Sequence, residues 1–130
     1  MKNIAIKENH LYTKAYRNGK KFVGRYVVVY VLKDYAAKRL QNENPQKERV
    51  NRLGLAVSKK IGGAVDRNRA KRIIRAAYDG VKSRLSKGNL IVISAREAID
   101  GRSSTDVLNE LNTGFEKLGL LRSGNENKEK

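Results

Sequence analysis

Lys59 to Arg75 reads KKIGGAVDRNRAKRIIR, and this stretch decides how the rest of the chain is to be understood. Seven of its seventeen residues are cations. Gly62-Gly63 follows a short apolar run and precedes a long helix-compatible one, which predicts a strand-to-helix turn where backbone freedom is needed. At about 100° per residue, Asn68, Lys71, Arg72 and Arg75 fall on one face of the helix. Ala70, Ile73, Ile74, Ala77, Val81 and Leu85 fall on the other, so the helix has one side for a core and one for a concentrated positive field. Asp66 is placed as a first-turn residue favoured by the helix dipole, or as a partner for Arg69.

Upstream, Arg49 to Ser58 predicts a strand in which Leu53, Leu55 and Val57 point one way and Arg52, Gly54, Ala56 and Ser58 the other. Downstream the helix is expected to run to Leu85 and stop before Gly88-Asn89. Leu90 to Ser94, LIVIS, then reads as a strand buried on both sides, giving a βαβ unit with two parallel strands. A last helix is expected from Ser103 or Ser104, supported by Asp106, and burying Val107, Leu108, Leu111, Phe115 and Leu118.

Toward the N-terminus, Asn9 to Asn18 predicts a short helix with Asn9 as cap and Gly19 as stop. Tyr12 and Tyr16 are i, i+4 neighbours on one of its faces; taken alone they are ordinary core-edge tyrosines. Lys21 to Lys33, KFVGRYVVVYVLK, predicts a short and a longer strand separated at Gly24, with Tyr26, Val28, Tyr30 and Leu32 sharing a face. Beside them, the small residues Gly54, Ala56 and Ser58 would leave a shallow groove, unless a helix packs closely over Gly54 and Ala56. Residues 36 to 48 hold the only proline and read as a long hairpin connection of no evident function.

One domain of residues 1–121 is expected, followed by a disordered, charged and polar tail over 122–130. The net charge is +16 with a pI near 10.3. Between Arg49 and Lys87 there are twelve Lys or Arg against Asp66 and Asp79, which places ten of the sixteen net charges in one third of the chain. A solvated helix face usually alternates signs; this one does not. A polyanion is the expected partner, and nucleic acid the first candidate.

Other classes are disfavoured. No run has the length of a transmembrane span and no segment resembles a signal peptide, so a cytoplasmic protein without a membrane partner is expected. Cysteine is absent and histidine occurs once, which excludes thiolate chemistry and histidine-based metal clusters. No nucleophile with a fitting base, paired carboxylates or phosphate-cradling loop stands out, so no catalytic residue and no small-molecule substrate are assigned.

The longer run GLAVSKKIGGAVDRNRAKRIIR, Gly54 to Arg75, resembles the signature of the bacterial ribonuclease P protein subunit, whose hallmark is an Arg-Asn-Arg triplet opening a basic helix, here Arg67-Asn68-Arg69. The likeness covers about Asn9 to Leu121. It implies an α+β fold, an α/β sandwich with a small mixed sheet of about four strands and three helices in the order α-β-β-β-α-β-α. It also implies a left-handed βαβ crossover, against the usual right-handed one.

The same likeness implies a role: binding the catalytic RNA subunit and the 5′ leader of precursor tRNA during removal of that leader. Catalysis would reside in the RNA with its Mg²⁺; no cofactor is assigned to the protein itself, and any metal bound there would be held by oxygen ligands or by the partner's phosphates. RNA-subunit contacts would come from Lys59, Lys60, Arg67, Asn68, Arg69, Lys71, Arg72 and Arg75. A leader cleft would be formed by Tyr12, Tyr16 and Tyr30, with Phe22 and Arg25 nearby. The alternative is a general RNA-binding or ribosomal-type protein with no processing role.

Overall fold

A computed structural model describes residues 3–43 and 49–121. A five-stranded sheet carries helices on both faces. In chain order the elements are β1 (Ile4–Ala5), α1 (Asn9–Asn18), β2 (Lys20–Val23), β3 (Val27–Lys33), α2 (Ala37–Glu43), β4 (Arg52–Ala56), α3 (Ala64–Asp79), β5 (Asn89–Ala95) and α4 (Ser104–Lys117). The strands lie side by side as β1-β4-β5-β3-β2. β4 runs parallel to β1 and β5, whereas β3 is antiparallel to β5 and β2.

The α+β class and the βαβ unit agree with the expectation, and several details do not. There are five strands and four α-helices among the described residues, because β1 adds two residues to the edge of β4 and α2 forms inside the supposed loop. That segment is not a hairpin connection: β5 pairs with both β3 and β4 and separates them. The buried Asp34 carboxylate accepts the Ala36 N–H at 3.0 Å and the Asp34 carbonyl accepts the Ala37 N–H, which starts α2 directly after β3. Helix α3 ends at Asp79, not Leu85; a turn at Gly80 and a 3₁₀ turn at Lys82–Arg84 still deliver Val81 and Leu85 to the core. Glu8, not Asn9, occupies the cap position of α1, and its carboxylate is held by Arg52 instead of capping the helix. The expected tail lies outside the described residues.

The hand of the β4–α3–β5 crossover follows from chirality. Leu53 sends its side chain into the core beneath α3, and its carbonyl accepts the Ile6 N–H at 3.0 Å, toward β1. Viewed from α3 with β4 running upward, an L-residue whose side chain faces the viewer directs its N–H and C=O to the right. β1 is therefore to the right of β4 and β5 to the left. A connection that passes in front and moves left is left-handed, the rare hand for this unit.

The two faces of the sheet are filled differently. Under α3 and α4, Val27, Val29, Val31, Leu53, Ile91 and Ile93 meet Ala70, Ile74, Ala77, Val107, Leu111 and Phe115 in one continuous core. Ser103 caps α4 by accepting the Asp106 N–H while the Asp106 carboxylate accepts the Ser103 N–H, the reciprocal arrangement that satisfies two orphan donors. On the opposite face α1 alone buries a smaller cluster of Ile6, Ala15, Leu90 and Val92.

An ion cluster fixes the start of α1 to the sheet. Arg52, only 6 % exposed, sends Nε and Nη2 to the two oxygens of Asp34 at 2.8 and 3.0 Å, and Nη1 to Glu8 at 3.0 Å. This cation from the basic third of the sequence is thus structural and unavailable to a partner.

Candidate nucleic-acid interface

The first surface is α3 with the turn that precedes it. Ser58 accepts the Lys60 N–H to open the 3₁₀ turn Lys59–Ile61, and Gly62 follows with φ +144°, a conformation a side chain would strain. The helix begins at Ala64 with Asp66 in its first turn. Ala70, Ile74, Ala77 and Tyr78 are buried beneath it, while Asn68, Arg69, Arg72 and Arg75 are exposed, as are Lys59 and Lys60. Arg67 and Lys71 are half-buried, and Arg67 Nε is buried with no hydrogen-bond partner. Six exposed polar residues, five of them cations, with no acidic residue among them, give a field suited to phosphates, and the arginines add bidentate geometry.

The second surface is the α1 side of the sheet. Strand register places Leu32, Leu90 and Arg52 in one row, Tyr30, Val92 and Gly54 in the next, and Val28, Ser94 and Ala56 in a third. Helix α1 packs over the first two rows. Tyr16 lies edge-on to Tyr30 with ring centroids 4.8 Å apart, and stays 43 % exposed. Val28, Ser94 and Ala56 remain half-buried beyond the rings, and Val23, beside Val28 on β2, is 55 % exposed. An aromatic wall thus borders an uncovered strip of small and apolar side chains, with Lys21 next to Tyr30 in register. Partial burial, reinforced by the neighbouring Tyr30 and Tyr12, raises the Tyr16 hydroxyl pKa, so the ring is neutral at physiological pH.

The remaining candidates separate. Tyr12 covers Gly54: a Cβ there would stand 2.6 Å from its hydroxyl oxygen, so the glycine makes room for the ring and the space is filled instead of forming a groove. The tighter α-helical packing over Gly54 that the sequence left open is therefore supplied by α1. Tyr12 also borders a depression at the β4 edge with Leu55, Lys71 and Arg75, which makes it the point where the two surfaces meet. Phe22 is on the wrong face for a cleft shared with Tyr16 and Tyr30. It pairs with Val29 in register, packs on Gly114 of α4, and has the Lys117 ammonium 5.9 Å from its ring centre.

Arg25 lies at the end of the sheet, where it shares a depression of about 370 Å³ with Ser58, Lys60 and Arg96. Arg96 was not anticipated; it donates to the Gly24 carbonyl at 2.7 Å. Nor was Glu110, whose carboxylate accepts the backbone N–H groups of Arg25, Tyr26 and Val27 at 2.7, 2.8 and 2.9 Å and so fixes the β2–β3 turn. Strand parity pointed to Val28, and Ser94 is the one polar residue of its strand run; Glu110 carries no local signal at all.

Among the described residues no group of three His, Cys, Asp or Glu could hold a metal ion, and no helix is long and apolar enough to cross a membrane. A mixed sheet with one face sealed, the other half open beside paired rings, and a one-signed helix surface defines an α+β protein of the RNA-binding kind. The sequence profile of the ribonuclease P family matches residues 1–119, and the chain belongs to that family. It is 38 % identical over 121 residues to the ribonuclease P protein component of Clostridium acetobutylicum, covering 93 % of each chain, and 41 % identical over 96 residues to that of Listeria innocua, covering 74 % of this chain and 71 % of the relative.

Solved structures agree. The ribonuclease P protein of Staphylococcus aureus superposes with a TM-score of 0.70 at 28 % identity, covering 93 % of this chain and all of that one. A mutant of that protein, described as defective in mRNA degradation activity, gives 0.73 at 28 % identity, with 90 % and 89 % covered. The Thermotoga maritima protein shares the fold with a TM-score of 0.64 at 23 % identity, covering 87 % of this chain and 94 % of that one.

Proposed function

We propose that this chain, as the protein component of ribonuclease P, binds the catalytic RNA through the exposed face of α3 and the Lys59–Lys60 turn, and receives the 5′ leader of precursor tRNA on the strip beside Tyr16 and Tyr30. The observation that carries this reading is the uncovered strip itself, an aromatic wall over small side chains with cations at its end. Stacking on a ring tolerates any base, which suits a leader whose sequence varies between transcripts. Arg25, Lys60 and Arg96 would hold leader phosphates where the strip reaches the end of the sheet. Tyr12 serves the fold first, and Phe22 belongs to the α4 core.

In this reading Mg²⁺ is held by RNA phosphates and cleavage is the work of the RNA. The purified chain alone should show no turnover of precursor tRNA; turnover abolished by substitution of one of its own carboxylates would refute that assignment. The mRNA degradation attributed to the S. aureus protein makes an mRNA substrate a necessary arm of the same assay.

The leader assignment is tested by equilibrium binding of the holoenzyme to precursor and to mature tRNA. Tyr16→Ala and Tyr30→Ala should each weaken precursor binding by about 1–3 kcal/mol and leave mature tRNA binding unchanged. Equal losses for both substrates would mean that the rings support the fold or the RNA-subunit contact.

A further inference from the structure

The flank of α1 turned away from Tyr16 borders a separate depression of about 220 Å³. Leu11, Leu32 and Leu90 give it an apolar floor. Tyr35, 76 % exposed, is the most exposed large apolar side chain among the described residues. The Lys14 ammonium lies 4.8 Å from its ring centre, and Lys33 stands at the same rim.

A single exposed tyrosine is unremarkable by itself; the surroundings of this one are specific. Tyr35 occupies the turn between β3 and α2, directly after Asp34, whose buried carboxylate is clamped by Arg52 and accepts the Ala36 N–H. The ring therefore stands on a rigid turn at the edge of an apolar floor. Glu8 and Asp34 also border the depression and share the single guanidinium of Arg52, so with Lys14 and Lys33 the lining keeps a net positive charge of one. An aromatic face, an apolar floor and cations within one depression match a single nucleotide: a base to stack, a phosphate to neutralise.

We propose that this depression is a second single-strand RNA site, in which one base stacks on Tyr35 over the leucine floor while the adjoining phosphate is held by Lys14 and Lys33. The site rests on the RNA-binding reading above, and α1 separates it from the Tyr16–Tyr30 strip, so it takes a nucleotide that the strip does not. That nucleotide comes either from a single-stranded segment of the catalytic RNA or from a distal part of the leader.

The experiment uses the full chain and two binding measurements. One is its affinity for the catalytic RNA alone; the other is holoenzyme affinity for precursor tRNAs with leaders of stepped length. Tyr35→Ala should weaken one of them about 5- to 10-fold with an unchanged melting temperature, and Tyr35→Phe should bind as the native chain does. Lys14→Gln should lower the salt slope of the same measurement by about one.

A loss confined to the first arm supports the site with the catalytic RNA as its source. A loss that emerges only beyond a threshold leader length supports it with the leader as its source. Native affinity for Tyr35→Ala in both arms, or equal losses for Tyr35→Ala and Tyr35→Phe, overturns the proposal. If Tyr16→Ala still discriminates precursor from mature tRNA while Tyr35→Ala is silent, only this second site falls. A native chain that binds neither RNA would remove the reading beneath both.

Discussion

The two faces of the central sheet carry the same kind of strand and are finished in opposite ways. Toward α3 and α4, the inward residues from Val27 to Phe115 pack into one core, with Leu55 half-buried at its edge. Toward α1, a ten-residue helix covers two of three side-chain rows and leaves Val28, Ser94 and Ala56 half-exposed beside Tyr16 and Tyr30. A sheet that can hold its structure from one face is free to keep the other open. The sealed face carries most of the core, and in the reading proposed above the leader is received on the open one, so substitutions on the two faces should have different readouts.

The largest effect is expected on the sealed face. Phe115 is fully buried, with Tyr78 against its ring edge at 6.4 Å. Phe115→Ala should cost about 3–5 kcal/mol of stability, read as a lowered denaturation midpoint, while the fraction still folded binds RNA normally. A binding loss larger than the loss of folded protein would show that the two faces are coupled.

Next comes the clamp that holds α1 in place. Arg52→Ala leaves the Asp34 carboxylate buried and unpaired, at a cost of about 3 kcal/mol. It should also change the acid limb of the stability curve. Partial burial would raise the Glu8 pKa, but the Arg52 hydrogen bond and charge, with backbone donors, outweigh it and hold Glu8 below its ordinary value. A carboxyl depressed in the folded state contributes stability above its unfolded pKa, about 4.3, and loses it as the pH falls through the lower folded value. Asp79 is depressed likewise, against its own burial, by Lys82 and Asn3. The native chain should therefore weaken below about pH 4, and Arg52→Ala should flatten that slope by removing the Glu8 share and keeping that of Asp79. An unaltered slope would mean that Glu8 is not depressed in the fold.

Smaller still, and confined to binding, is the effect expected on α3. Arg72→Ala should weaken the catalytic RNA complex by about 1–3 kcal/mol if a bidentate phosphate contact is lost, with a salt slope lower by about one. The melting temperature should hold, since Arg72 is exposed and Ile74 and Ala70 keep the helix docked. A fall in melting temperature with unchanged affinity would move Arg72 to the structural side of the comparison.

The same contrast explains what was legible in the sequence. Periodicity located α3 and α4 because one of their faces had to be apolar, and it separated Asn68 and Arg72 from Ala70 and Ile74, while β5 showed as a continuous apolar run buried on both faces. It could not see α2, whose short run AKRLQNE buries only Ala37 and is nucleated by Asp34, nor β1, two residues held by the edge of β4. Strand order was equally hidden, since nothing local says that β5 enters between β3 and β4. That error made Tyr30 and Gly54 look adjacent when Val92 lies between them. Phe22 was misassigned for a related reason: Lys20–Val23 pairs with β3 so that Val23, not Phe22, shares the face of Val28 and Tyr30. Glu110 acts on residues more than eighty positions away, a distance no window of sequence reports.

The finest test asks what the open face reads. If the Tyr16–Tyr30 wall only stacks bases, its hydroxyls are dispensable, and Tyr16→Phe should change precursor binding by less than about 0.5 kcal/mol, the scale of an inconsequential surface change. The raised pKa of the Tyr16 hydroxyl adds a condition. A group titrating above the ordinary tyrosine value of about 10 stays protonated through pH 9, so the Tyr16 contribution to native precursor affinity should be flat from pH 7 to pH 9, and Tyr16→Phe should leave that profile unchanged. Should Tyr16→Phe instead lose as much as Tyr16→Ala, the hydroxyl would be donating to a base edge or a phosphate. The strip would then select among leaders instead of accepting any, and substituting the leader base that crosses Tyr16 should abolish the difference between the native chain and Tyr16→Phe.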